Sequence, residues 1–214
     1  MASSLLTVLV NPNAFFGRDP PEWEALRIPA LIVLAAALVA GATAFLTTGL
    51  VARIMPPDVQ QYLGVMLVFG IALAMVATLV FWALWAGAFF VISLVFQGKG
   101  SYRRTLAVAG YGYLPMVIGS VVSLAIFWVF SPGIHVPAVA SVEEIQAATT
   151  ALMHQPVMIL VSILGMIFLF WAANIWIFGI RYARGLSLRN AAITVGVPVF
   201  LYLIFMVWSL GVFA

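Results

Sequence analysis

Five stretches of this sequence are long, apolar and uncharged. They cover residues 28–52, 62–96, 105–130, 156–180 and 190–213, and none contains Asp, Glu, Lys or Arg. A helix needs about 20 apolar residues to cross the hydrocarbon core of a bilayer. Inside that core every backbone N–H and C=O must find its partner within the protein, and the α-helix supplies all of them locally. The pattern predicts an all-α, polytopic membrane protein with five transmembrane helices. Composition excludes a soluble fold: only 7% of the 214 residues are charged, against roughly 25% in an average soluble domain. The run at 62–96 exceeds one crossing, so it must tilt or project.

The expected organisation is a short N-terminal segment, 1–27, and one five-helix domain, 28–214. No cleaved leader is expected. The first basic residue is Arg18, and the first apolar run starts at Ile28 and outlasts an h-region.

The charges between the spans fall on two sides. Arg18, Arg27, Lys99, Arg103, Arg104, Arg181, Arg184 and Arg189 lie on the side of the N-terminus, eight of nine cations. Arg53 lies on the other side with Asp58, Glu143 and Glu144. Translocating Lys and Arg is costly, so cations mark the cytoplasmic side. The split predicts N-in, C-out in the cell membrane. Lys99, Arg103, Arg104, Arg181, Arg184 and Arg189 are then topogenic, and they are candidates for contact with anionic lipid headgroups at about 1 kcal/mol each. Cations scattered through short loops argue against a nucleic-acid partner.

The run FQGKGSYRRT, Phe96–Thr105, invites a phosphate-binding reading. A Walker A loop needs Gly, four residues, then Gly-Lys-Ser/Thr after a strand. Here Ser93 stands where the first Gly belongs, Gly100 follows Lys99, and no strand precedes. No nucleotide or other cofactor is expected. The absence of cysteine removes thiol chemistry and Cys-ligated metals. His135, Glu143, Glu144 and His154 read as a solvated loop, since the adjacent glutamates diverge by about 100° on a helix. No HExxH, intramembrane Asp pair or Ser/His pair is present, so no catalytic residues are assigned and the chain reads as non-enzymatic. Coupled ion transport normally uses a buried ionisable group, and the spans hold none. Passive conduction or lipid movement needs none.

At the N-terminus, Ser3 or Ser4 can cap a short apolar turn, Leu5–Val10, which Asn11-Pro12 ends. Asp19, Pro20 and Glu22 resemble a capping box, and Pro29 predicts a bend shortly after. With Phe15, Phe16 and Trp23 this segment reads as an interfacial anchor. In the loop 131–155, Ser141 and Glu144 have capping-box spacing, which suggests a short surface helix.

Polar features inside the spans are few. Pro115 and Pro198 each free a carbonyl four residues earlier, on Tyr111 and Thr194. Asn174 lies at a similar depth. An amide in hydrocarbon is costly, so Asn174 is expected to face the bundle interior and bond to one of those carbonyls. It would serve as interhelical glue or line a polar cavity. Ala36, Ala40, Ala44 and Gly41 in the first span, and Ala83 and Gly87 in the second, suggest close helix approach.

The stretch GKGSYRRTLAVAGYGYLPMVIGS, Gly98–Ser120, resembles the Yip family of Ypt/Rab-interacting membrane proteins. The likeness rests on Gly98 and Gly100 in a basic loop, Arg103 and Arg104 at the entry to the third span, and Gly110, Tyr111 and Pro115 beyond. NPNAFF, Asn11–Phe16, is similar to the same region of prokaryotic members. The resemblance covers most of the chain and implies five spans with a cytoplasmic N-terminus. Eukaryotic members are associated with small GTPases of the Rab type and with vesicle trafficking. They carry a long N-terminal domain with an Asp-Leu-Tyr-Gly-Pro motif that this sequence lacks, which argues against GTPase binding. Two function classes remain: a membrane-organising or membrane-shaping scaffold, with membrane lipids, other membrane proteins or further copies of itself as partners, or a transporter or channel for a small or lipidic solute.

Overall fold

The computed structural model describes residues 2–18, 22–52, 61–130 and 154–209, together with the isolated positions 133, 144, 147, 148, 150 and 151. Those residues form an all-helical bundle. Two short helices come first, α1 (Ala2–Val10) and α2 (Pro12–Phe16), then a 3₁₀ turn at Glu22–Glu24. Five long helices follow: α3 (Arg27–Val51), α4 (Leu63–Val95), α5 (Tyr102–Phe130), α6 (Pro156–Arg184) and α7 (Leu188–Ser209). All five are long and apolar enough to cross a membrane. Helix α4 has 33 residues, about 50 Å at 1.5 Å per residue, so it exceeds the hydrocarbon thickness. The chain reverses at each connection, which brings Arg27, Lys99–Arg104 and Arg181–Arg189 to one end, called here the basic end.

Helix α5 is central and packs on α3, α4 and α6. Its residues Ala107 to Tyr113 are all buried. The approach to α6 is set by two glycines. A methyl on Gly112 would overlap the ring of Trp176, and one on Gly119 would overlap Phe168. On the other flank, a methyl on Gly110 would lie 2.6 Å from Cβ of Pro29 on α3. The small residues expected to draw helices together contribute unevenly. Gly41 packs against Met75 and Ile71 of α4, whereas Gly87 faces open space.

Several expectations change in detail. The bend at Pro29 does not occur within a helix. Helix α3 begins at Arg27, so Pro29 falls in its first turn, where no N–H is needed. The box at residues 19–22 does not open a longer helix: Glu22–Glu24 form only a 3₁₀ turn, and 19–21 lie outside the described residues. Arg53, Asp58, His135, Ser141 and Glu143 are also outside them. In the 131–155 loop, Glu144, Ala147, Ala148, Thr150 and Ala151 are helical, and Ala148 is buried in a small cluster with Leu50 and Phe127.

The N-terminal segment departs most. It packs against the flank of the bundle, burying Val8, Pro12, Phe15 and Phe16 while Leu6 and Val10 stay exposed. Asn11 Oδ1 caps α2 by accepting from Ala14 N at 3.0 Å, with Pro12 at the first helical position. Leu5 lines a cleft with Ile32, Ala35, Leu114 and Val117. Trp171 Nε1 donates to the Leu9 carbonyl at 3.1 Å. Trp171 stands thirteen residues before Arg184, about 20 Å along α6. The α1–α2 hairpin therefore occupies the half of the bundle between its mid-level and its basic end.

Candidate functional site

The loop between α4 and α5 is folded around one guanidinium. Arg184, the last residue of α6, is 1% exposed. Its Nε donates to Ser93 Oγ at 2.8 Å and its Nη2 to the Gly98 carbonyl at 2.8 Å, while Nη1 donates to the Gly100 carbonyl. The guanidinium plane covers the Phe90 ring, 4.3 Å from its centroid. In return, Lys99 N donates to the Arg184 carbonyl at 2.8 Å. Arg carries five donors in a rigid fork, and the end of α4 and the loop after it supply acceptors for three of them.

That arrangement explains the glycines. Gly100 has φ +95, and a methyl there would meet the Ala183 carbonyl oxygen at 2.5 Å. A methyl on Gly98 would lie 2.8 Å from the Ser93 carbonyl oxygen. The motif supplies an acceptor cradle for Arg184. Arg184 is thereby corrected from a headgroup contact to an internal brace, because its charge is turned away from the bilayer surface.

The other five cations lie nearer solvent. Lys99, Arg103 and Arg189 are exposed. Arg104 forms an ion pair with Glu24 at 2.8 Å, closing the α5 entry onto the 3₁₀ turn. Arg181 reaches Asn13 Oδ1 at 3.5 Å, and the same oxygen accepts from the Tyr182 hydroxyl at 2.9 Å. The basic end thus mixes free charges with charges that lock the N-terminal segment down. Phe15 and Phe16 meet Tyr111 edge-on, at centroid distances of 5.2 and 6.0 Å. Trp23 Nε1 donates to the Phe16 carbonyl at 3.0 Å. Tyr111 is therefore the floor on which the segment NPNAFF docks.

The intramembrane residues separate. Tyr111 and Thr194 are buried, and the Thr194 hydroxyl donates to the Asn190 carbonyl at 2.8 Å. Pro115 and Pro198 lie within α5 and α7, which continue through them. Asn174 does not join them. It is exposed on the outer face of α6, and its side chain makes no hydrogen bond with the described residues. Both expectations for it, internal glue and cavity lining, are overturned. The neighbouring turn carries the buried tryptophan instead: Trp176 Nε1 donates to the Ala109 carbonyl at 2.9 Å and stacks on Trp85 at 5.1 Å.

Two clefts open among the upper helices. One, of about 340 Å³, is lined by Thr43, Thr47, Ser120, Ser123, Ser162 and apolar side chains. Its neighbour, about 220 Å³, is lined by Thr78, Trp85, Tyr113, Ser120 and Tyr202 among others. Thr43, Thr47, Thr78 and Ser162 donate to carbonyls of their own helices, which mutes their polarity. Among the described residues no group of three potential metal ligands gathers. His154 Nδ1 lies 2.8 Å from the Thr150 carbonyl.

Sequence reasoning missed Ser93, Phe90, Asn13 and Trp171. A signal existed only for Asn13, within an Asn-Pro-Asn turn. The others become partners through contacts across 91 and 162 positions of chain.

An uncharacterized protein of Methanocaldococcus jannaschii is 32% identical over 123 residues, which is 58% of this chain and 87% of that protein. No solved structure matches. The profile of the Yip1 domain matches residues 6–210, a range that takes in the docked N-terminal segment as well as all five long helices. The chain is a multi-pass membrane protein that belongs to the Yip1 domain family.

Proposed function

We propose that the protein is a non-enzymatic scaffold that shapes or organises the cell membrane, with its basic end in the cytoplasm. The observation that carries this reading is the docked α1–α2 hairpin. It adds Leu5, Val8, Pro12, Phe15 and Phe16 to one half of the bundle, with all but Leu5 buried. A body wider in one leaflet than the other favours curvature, because lipids must splay around the wider half. Lys99, Arg103 and Arg189 stand at that same end, where anionic headgroups would hold it at about 1 kcal/mol per cation. Membrane lipids are thus the partners this reading requires. A cytoplasmic orientation follows from the cation bias.

The alternative, movement of a small or lipidic solute, draws on the hydroxyl-lined clefts. Asn174, the residue best suited to line such a path, lies outside them. Purified protein in liposomes separates the two readings. The scaffold reading expects narrowed or tubular vesicles by electron microscopy, a response reduced in a variant with Val8, Phe15 and Phe16 changed to Ala. Unaltered vesicle shape together with protein-dependent solute or lipid flux overturns it.

A further inference from the structure

Asn174 raises a physical problem that the single chain leaves open. It stands ten residues before Arg184, about 15 Å along α6, and eighteen after Pro156, about 27 Å. Its amide therefore lies within the hydrocarbon, exposed and without a hydrogen bond to any described residue. An unsatisfied amide there is costly, and an acyl chain offers it neither donor nor acceptor.

The surface around it has a pattern. Leu160, Ile163, Ile167 and Phe170 are 44%, 49%, 56% and 59% exposed. With Asn174 they step along α6 by three, four, three and four. That spacing is the a/d seam of a left-handed coiled coil, in which Leu160, Ile167 and Asn174 hold a positions. The seam is framed on both flanks. On one side Trp171 is tied to the Leu9 carbonyl, and on the other Leu169 and Ala173 are buried. The exposed strip is thus one face of α6 with an amide in its lower half.

We propose that this strip is the seam of a parallel homodimer within the membrane, in which the two Asn174 amides bond to each other. Copies of one chain insert with one orientation, so α6 meets α6 in parallel and Asn174 meets its equivalent at equal depth. A carboxamide carries both a donor and an acceptor, so the pair is self-complementary across a two-fold axis. A single Asn at an a position fixes register and oligomer state. Arg181, the next a position, ends the seam at the basic end, where Asn13 draws it aside. The dimer supplies a partner for the scaffold reading and rests on that reading for its purpose. Its test reads association alone.

The chain has no cysteine, so single cysteines can be placed without background. In membranes, Ile167→Cys and Phe170→Cys should form disulfide dimers on oxidation. Phe69→Cys and Phe205→Cys, exposed on α4 and α7, should not. Energy transfer between labelled copies in bilayers should show Asn174→Leu weakening the dimer by about threefold to thirtyfold, the effect of one interhelical polar contact. Asn174→Gln should stay near the native value. These positions are all exposed, so helical circular dichroism should be unchanged throughout. Cross-linking at positions 69 or 205 in place of the seam, or undiminished association of Asn174→Leu, overturns the proposal. A chain that stays monomeric at every lipid dilution also overturns it, while the vesicle-shape result stands separately.

Discussion

Replacing Arg184 by Met removes the fork that holds the 96–101 loop while keeping most of the side-chain volume. Three hydrogen bonds are lost, to Ser93, Gly98 and Gly100, along with the stack on Phe90. Bonds to a charged group contribute about 1.5–3 kcal/mol each. Two offsets apply. The native state no longer desolvates a guanidinium, which costs several kcal/mol, and water can reach the Gly98 and Gly100 carbonyls, whose groups lie at the edge of the bundle. Ser93 Oγ keeps its own donation to the Phe90 carbonyl at 2.6 Å. The net loss should be on the order of 2–4 kcal/mol, within the range for breaking a buried polar network. For a chain of this size each kcal/mol corresponds to roughly 2–4 °C, so the unfolding temperature in detergent should fall by about 5–15 °C.

Arg184→Lys should recover only part of this, since an ammonium cannot address three acceptors set in a plane. Hydrogen exchange should localise the effect: amides of residues 97–101 should exchange faster, Lys99 N above all, while the core of α5 stays protected. Binding to anionic liposomes should change little. An Arg184→Met protein with native thermal stability and a protected loop would refute the clamp. A loss confined to lipid binding would return Arg184 to the surface role.

Gly112→Ala should destabilise by about 3 kcal/mol or more, since its methyl overlaps Trp176 and displaces the bond to Ala109; Gly196→Ala, with nothing within 4 Å, should be neutral or gain a few tenths, and equal thermal shifts for the two would contradict the packing. Changing both Lys99 and Arg103 to Gln should weaken binding to anionic vesicles by roughly tenfold or more at low salt; adding Arg104→Gln should matter less, because Arg104 already pairs with Glu24, and a third, equal loss would argue that the pair opens at the membrane. A cysteine at Lys99 should resist an impermeant thiol reagent in intact cells and one at Gly133 should react; the reverse pattern would refute the cytoplasmic placement of the basic end.

The helices were legible because hydrophobic length is a one-dimensional property. The uncharged runs at 28–52, 62–96, 105–130, 156–180 and 190–213 each fall on one long helix, with ends shifted by a few residues. At Arg181 and Arg184 the helix simply continues past the apolar run, since a cation suits a helix C-terminus. Pro115 and Pro198 were legible as interior prolines. Asn174 was misread because a polar residue in an apolar run says only that it needs a partner. Which face it occupies depends on the rotation of α6, and the large rings of Phe168 and Trp176 set that rotation by seating over Gly119 and Gly112.

The same distinction runs through the basic end. The sequence alone determined the five crossings, their alternation and the gathering of eight cations on one side, because transfer energies add along the chain without reference to neighbours. Only the tertiary structure decided which cations are exposed and which are consumed inside. Lys99 and Arg184 look alike in the sequence, yet one is exposed and the other is 1% exposed. It also decided that residues 5–16 dock on the bundle, since the surface they cover is made of side chains from three other helices and exists only when those helices have met.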